Sequence, residues 1–128
     1  MAFLLDTNVA IHVRDGDAMV AENVAALGGG VLMSIVTRVE LEGGVYREPD
    51  YAAIRRARLD VMLGAIPTLA FDDLAAETYG RIVADAGYSR RNLLDRMIAA
   101  QALVHRATLV TLNSADFADV PGLSLLIW

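Results

Sequence analysis

Four acidic residues occupy positions from which their carboxylates can gather and bind a metal ion. Asp6, Glu40, Asp95 and Asp116 each follow an apolar, strand-like run or fall in the first turn of a helical one. In an open parallel α/β sheet, such positions converge outside the carboxyl ends of the strands. Carboxylates gathered there repel one another unless their oxygens bind a hard divalent cation, such as Mg²⁺ or Mn²⁺. The sequence therefore predicts a site for metal-dependent chemistry.

Considered singly, each acid also has an ordinary structural interpretation. Asp6 could cap the helix that follows it, and Thr37 with Glu40 matches a capping box. Asp95 could act in the same way at the start of a later helix, and Asp116 could form a turn. Capping does not require that all four acids lie at one edge of a sheet, so the joint pattern favours a shared site. Small polar residues accompany the acids, namely Thr7, Asn8, Thr111 and Asn113.

The composition limits the kinds of protein that this chain can be. We expect a single domain over residues 1–128, which is long enough to bury a core. The chain has no cysteine, which excludes thiol catalysis, and no lysine, which phosphoacceptor receiver domains and haloacid-dehalogenase-type phosphatases need. The first apolar run lacks a basic lead and is interrupted by Asp6, so we expect a soluble, cytoplasmic protein with no signal peptide or membrane span.

The net charge of −5 at first argues against a nucleic-acid partner, because phosphate binding usually shows as a basic face. However, four of the sixteen acids belong to the proposed cluster, and bound cations would cancel most of the excess. Arg90, Arg91 and Arg96 lie in the segment around the third acid of the cluster. Guanidinium groups there could hold RNA phosphates while Tyr88 stacks on a base, and a plain surface role is the alternative.

Apolar runs of strand length alternate with runs of helical periodicity along the chain. The predicted strands cover residues 1–5, 31–34, 66–71, 108–111 and 123–127. The predicted helices cover residues 8–13, 18–27, 37–46, 51–63, 72–86 and 92–105. This alternation predicts an α/β fold with a mostly parallel five-stranded sheet that is covered on both faces.

Four motifs follow one another in a specific order: D-T-N at residues 6–8, E-L at 40–41, D-x-x-I-A-A at 95–100 and T-x-N-x-x-D-F at 111–117. Each motif alone is weak, but their order and spacing are specific in combination. The chain resembles, over essentially its whole length, the PIN-domain ribonucleases, and specifically the VapC-type toxins of bacterial toxin–antitoxin pairs. Leu112 departs from the pattern, because the family often carries a polar or basic residue there.

The resemblance implies a three-layer α/β/α fold, an Mg²⁺- or Mn²⁺-dependent endoribonuclease, a homodimer and inhibition by a cognate antitoxin. By this likeness the four acids are the metal-binding and catalytic residues, and the four small polar residues support them. A metal-activated water would attack the RNA phosphodiester, so no side-chain nucleophile is needed. His12 and His105 are then structural.

Two other functions remain open at this stage. A PIN-like module that keeps the fold could bind RNA or a protein without cutting, although the presence of all four acids argues against it. A PIN-related DNA nuclease usually carries additional clamp elements, which a chain of this length lacks.

Overall fold

The computed structural model describes residues 1–128 and shows a five-stranded sheet with helices between the strands. The strands are β1 (Ala2–Leu5), β2 (Gly30–Ser34), β3 (Thr68–Leu69), β4 (Thr108–Thr111) and β5 (Leu125–Ile127). The helices are α1 (Thr7–Arg14), α2 (Ala18–Ala25), α3 (Ile35–Tyr46), α4 (Ala52–Ala65), α5 (Asp73–Ala86) and α6 (Leu93–Val104). Short 3₁₀ turns cover Pro49–Tyr51 and Ser114–Phe117.

All neighbouring strands are parallel, and their order across the sheet is β3-β2-β1-β4-β5. Alternate residues of a strand point to opposite faces, and both faces of this sheet are apolar. Leu4 and Leu109 pack on one face against Ile98 of α6, whereas Leu5 packs on the other face against Val9 of α1. The prediction of a three-layer α/β/α fold around a five-stranded sheet is therefore confirmed, and no helix is long and apolar enough to cross a membrane.

The predicted third strand was too long. Only Thr68 and Leu69 pair with a neighbour, and that neighbour is β2, so β3 is an edge strand. Pro67 has no N–H to donate to a ladder, although its carbonyl accepts a hydrogen bond from Met33 N at 2.9 Å. After β3 the chain leaves the sheet to enter α5, whose first turn is capped by the Asp72 carboxylate through Ala75 N at 2.9 Å.

The helix α3 begins two residues earlier than the sequence pattern predicted. Ser34, the last residue of β2, is its N-cap, and the Ser34 side chain accepts a hydrogen bond from Val36 N at 2.9 Å. The capping box of Thr37 and Glu40 is therefore wrong, because Ser34 already satisfies the start of the helix. Thr37 and Glu40 instead lie one turn apart within α3 and are free to make other contacts.

Candidate active site

The four acids lie at the carboxyl edge of the sheet, on elements that leave three adjacent strands and on the start of α6. Asp6 directly follows the central strand β1, and Asp116 lies in the 3₁₀ turn after its neighbour β4. Glu40 lies on α3, which follows β2 on the other side of β1. Asp95 is in the first turn of α6. The parallel sheet thus carries acids that are distant in sequence to one edge of the fold.

Asp6 is the buried centre of this site. It is only 2% exposed, and its two carboxylate oxygens accept hydrogen bonds from Thr7 N at 2.7 Å and from the Thr111 hydroxyl at 2.9 Å. Its own N–H donates to Val110 O at 2.9 Å, which ties the residue to β4. As the N-cap of α1, the side chain also faces the positive end of a helix. The capping interpretation is thus correct for Asp6, and it does not conflict with a role in the site.

The pKa of the Asp6 carboxyl lies above its usual range. Burial is the largest cause, because it disfavours the charged form. The hydrogen bonds from Thr111 and Thr7 lower the pKa, but the negative charges of Asp116 and Glu40 raise it further. Asp6 therefore lies close enough to both acids for their charges to oppose its ionisation.

Thr7 connects Asp6 to Glu40, because its backbone N–H bonds Asp6 and its hydroxyl bonds Glu40. The Thr7 hydroxyl donates to Glu40 Oε1 at 2.8 Å and lies 2.9 Å from the hydroxyl of Thr37, which is completely buried. Thr37 was missed as a site residue, because its spacing from Glu40 fits both a capping box and one face of a helix. Only the observation that Ser34 is the N-cap of α3 distinguishes the two interpretations.

A second chain of hydrogen bonds connects Asp6 to Asp116. Thr111, which bonds Asp6, accepts a hydrogen bond from Asn113 N at 3.0 Å, and the Asn113 side-chain amide donates to Asp116 Oδ2 at 3.1 Å. The structure therefore places Thr7, Thr111 and Asn113 in contact with the acids. Asn8 is exposed and makes no hydrogen bond to any of the four carboxylates, so its supporting role stays a prediction.

The fourth acid of the site, Asp95, also has a raised pKa. Burial raises the pKa of Asp95 to about 6, and the charges of Asp6, Asp116 and Glu40 add to this effect. The charges of all three other acids therefore disfavour the ionisation of Asp95. Asn92 is the N-cap residue of α6, and no side-chain capping hydrogen bond forms there, so the capping interpretation of Asp95 is not observed.

The donor set of this site fits a hard divalent cation. All four side chains offer carboxylate oxygens, and none of the eight ion pairs in the structure involves any of them. The carboxylates are nevertheless not drawn together, since no three acidic or histidine side chains stand close enough to hold one ion.

The arginines of the segment before α6 fall into two groups. Arg90 and Arg91 are exposed in the loop and form no ion pair, and Tyr88 in the same loop is 73% exposed. Arg96 is 2% exposed, and its guanidinium donates to Asp119 Oδ2 at 2.7 Å and to the Gly87 carbonyl at 2.5 Å. The expectation that Arg96 binds RNA is therefore wrong, because its side chain is buried within the protein.

The two histidines lie outside the site. His12 pairs through Nδ1 with Asp17 at 3.2 Å, and His105 is the exposed C-cap of α6. A buried amide was overlooked at the sequence level: Gln101 on α6 donates to the carbonyls of Leu69 and Ala70 and accepts from the Ser34 hydroxyl. It was recognisable as the one polar residue within the apolar run of residues 97–104.

Comparisons with known proteins agree with this fold. Residues 3–123 match the family model of the PIN domain. Ribonuclease VapC2 from Rickettsia felis is 25% identical to this chain over 135 residues, which cover 100% of the chain and 98% of the relative. The tRNA(fMet)-specific endonuclease VapC from Shigella flexneri is 30% identical, with 100% and 98% covered.

A solved structure of a complex is also similar. DNA-bound VapBC from Salmonella typhimurium matches with a TM-score of 0.86 and 25% identity, and the match covers 100% of this chain and 98% of that one. The family model, the relative at 30% identity and the fold all cover nearly the whole chain. The chain therefore belongs to the PIN-domain family, in which it is a VapC-type member.

Proposed function

We propose that this chain is an Mg²⁺- or Mn²⁺-dependent endoribonuclease that acts as the toxin of a toxin–antitoxin pair. The observation that carries the proposal is the group of four acids at the sheet edge, which no cation of the protein neutralises and whose charges raise the pKa of Asp6 and Asp95. The family membership and the relatives named as a ribonuclease and a tRNA endonuclease support RNA as the substrate.

Asp6, Glu40, Asp95 and Asp116 would hold the cation. When bound, a divalent cation supplies Lewis acidity, which lowers the pKa of a water molecule and stabilises negative charge on the oxygens of the phosphodiester. The residues of the chain supply orientation. Thr7 and Thr111 fix the two oxygens of Asp6, and Asn113 holds Asp116, so these carboxylates keep defined directions toward the edge of the sheet.

The exposed loop before α6 contains the residues that the sequence predicts to contact RNA. Arg90 and Arg91 have no carboxylate partner and are available for phosphates, and Tyr88 offers a ring to an unstacked base. The loop leads into α6, whose first turn carries Asp95, so phosphates held there would lie next to the acids.

A protein partner and a dimer are part of the same proposal. The similar VapBC structure is a complex, which supports a cognate antitoxin for this chain. An antitoxin arginine or lysine could pair with the carboxylates and displace the cation. The homodimer rests on the family resemblance, and light scattering of the purified chain tests it directly.

The alternative is a PIN-like module that binds RNA or protein without cutting. Incubation of the purified protein with labelled RNA and labelled DNA, in Mg²⁺, Mn²⁺ or EDTA, separates the two. We expect internal cleavage of RNA that EDTA abolishes, whereas cleavage of DNA alone would support a DNA nuclease. RNA binding without cleavage in either metal would favour the silent module.

A further inference from the structure

A groove of about 640 Å³ begins at Glu40 and is walled by α1, α3 and α4. We propose that it holds the RNA strand on one side of the scissile bond, with Arg47 and Arg14 contacting the phosphates. This inference rests on the nuclease function proposed above and adds to it a path for the substrate. The loop of Arg90 and Arg91 lies elsewhere, before α6, and does not line the groove.

One face of α3 forms the floor of the groove. Glu40, Gly43, Gly44 and Arg47 are spaced at i, i+3, i+4 and i+7, so they lie in a row along the helix. Seven residues of helix span about 10 Å. The two glycines have no side chains, so an open trough about 10 Å long connects an active-site carboxylate to an arginine.

The charges along the trough suit an extended polyanion. Arg55 is held by Glu48 at 3.1 Å and by the Gly44 carbonyl at 3.2 Å, and Arg14 is held by Asp15 at 3.0 Å. Arg47 forms no ion pair or hydrogen bond and is exposed. Apart from these ion pairs, two charged residues that line the groove have no ion-pair partner, namely Glu40 at one end and Arg47 at the other. A chain whose scissile phosphate lies at the metal end therefore meets a free guanidinium further along.

Arg14 forms part of the opposite wall and is a charged side chain only 5% exposed. Its Nε and Nη2 contact Asp15 Oδ1, at 3.1 and 3.0 Å. Its Nη1 has no hydrogen-bond partner within the protein and lies 2.8 Å from the place that a Cβ on Gly44 would occupy. Glycine at this position therefore leaves room for a guanidinium beside the trough, and a phosphate there would give Nη1 an acceptor.

The rim of the trough favours a single strand over a duplex. Tyr46 lines the groove and is 64% exposed, so its ring can accept a stacked base. Stacking on aromatic rings contributes about 1–3 kcal/mol per base in proteins that bind single strands, and it needs an unpaired base. A flexible single RNA strand can place a phosphate at the guanidinium of Arg47 and an unpaired base on the ring of Tyr46.

The first test replaces Arg47 with alanine and measures binding of a labelled single-stranded RNA oligonucleotide of mixed sequence at several salt concentrations. The Asp6→Asn background prevents cleavage during the measurement. We expect weaker binding and a slope of log K against log salt that falls by about 0.7, as for one lost contact to a single strand. Arg106→Ala is the matched control, because Arg106 is exposed, forms no ion pair and lies at the opposite edge of the sheet.

The second test blocks the trough without removing a charge. A Cβ on Gly43 would meet no atom within 4 Å, so Gly43→Gln can be accommodated and replaces glycine by a good helix former. We expect a melting temperature that is unchanged or higher, together with a severalfold higher KM for RNA. A loss of RNA binding in a more stable protein cannot be attributed to misfolding.

The outcomes distinguish this inference from the function on which it rests. If wild-type protein cuts RNA and both Arg47→Ala and Gly43→Gln keep the wild-type KM and salt slope, the groove is not the RNA path, and the nuclease proposal stands. If these variants lose only the binding of a protein partner, the groove is a protein-docking surface and the inference is wrong. If wild-type protein neither binds nor cuts RNA, both proposals fail.

Discussion

The buried guanidinium of Arg96 donates to Asp119 Oδ2 at 2.7 Å, and this contact joins two elements that carry active-site acids. Arg96 follows Asp95 on α6, and Asp119 lies three residues after Asp116. The Arg96 guanidinium also donates to the Gly87 carbonyl, and this hydrogen bond fixes the start of the loop that carries Arg90 and Arg91. The Nε of Arg96 has no partner, so the side chain depends on these two acceptors alone.

Replacement of Asp119 by alanine should therefore destabilise the protein strongly, although the side chain of Asp119 is about half exposed. The substitution leaves a buried positive charge without a counterion, which typically costs about 3–5 kcal/mol, and the Gly87 carbonyl offsets part of this cost. Urea unfolding measures the change. Asp85→Ala is the control, since Asp85 is exposed and unpaired, and its effect should stay within about 0.5 kcal/mol. Equal effects of the two substitutions would show that the ion pair does not stabilise the fold.

The stability of the metal-free protein should fall as the pH rises from about 4 to about 6. The pKa of Asp95 is raised from 3.8 to about 6 in the folded state, so within this window the folded protein binds more protons than the unfolded chain. Stability then decreases with pH and levels off above the folded pKa. The raised pKa of Asp6 acts in the same direction. Urea unfolding in EDTA across this range measures the slope, which Asp95→Asn should reduce. A stability that rises with pH in this window would contradict the raised pKa values of Asp95 and Asp6.

Divalent cations should stabilise the fold through the same acids. A cation that binds only the folded state adds about 2.7 kcal/mol at a concentration one hundred times its Kd. Melting with and without millimolar Mn²⁺ should show a higher melting temperature, and Glu40→Gln should reduce the increase. Glu22→Gln, a substitution of an exposed acid on α2, should leave it unchanged. No change in melting temperature for the wild type, with no heat of binding by calorimetry, would argue against a shared metal site.

Arg90 and Arg91 should contribute to RNA affinity and not to metal binding. Both are exposed, and their replacement by alanine removes up to two phosphate contacts without disturbing a buried group. The salt slope of RNA binding should decrease by up to about 1.4, at about 0.7 per contact to a single strand. The Mn²⁺ affinity should hardly change. An unaltered salt slope in the double variant would place the phosphate contacts on other residues.

The sequence was sufficient to place the acids but not to show how they are held. The position of Asp6 after β1 and of Asp116 after β4 follows from apolar runs that end at polar residues, and the structure has both strands. The contacts of Thr37 depend on whether α3 begins at Ile35 or at Thr37, and a shift of two residues turns a helix by about 200°. Local patterns do not fix a helix start to that precision.

The burial of Arg96 was likewise not predictable from the sequence. Its neighbour Arg91 is exposed, and the two residues share a segment rich in arginine, so composition alone treats them alike. Arg96 points inward because it lies on the face of α6 toward Gly87 and Asp119, and these acceptors are 9 and 23 residues away along the chain. An arginine is almost never buried unless it is paired, and the partner at Asp119 became visible only in the folded structure.

The central claim is that Asp6 helps to hold a cation that RNA cleavage requires, and Asp6→Asn tests it most directly. Asparagine keeps the size of the side chain, and its Oδ1 can still accept from Thr7 N while its Nδ2 can donate to the Thr111 hydroxyl, but it lacks the negative charge that a hard cation needs. Wild type and Asp6→Asn are compared for RNA cleavage in Mg²⁺ and for circular dichroism, with Asp85→Asn as a matched control. We expect folded Asp6→Asn protein whose cleavage rate is lower by about 100-fold or more. Folded Asp6→Asn protein that cuts RNA as fast as wild type would contradict the metal-nuclease account.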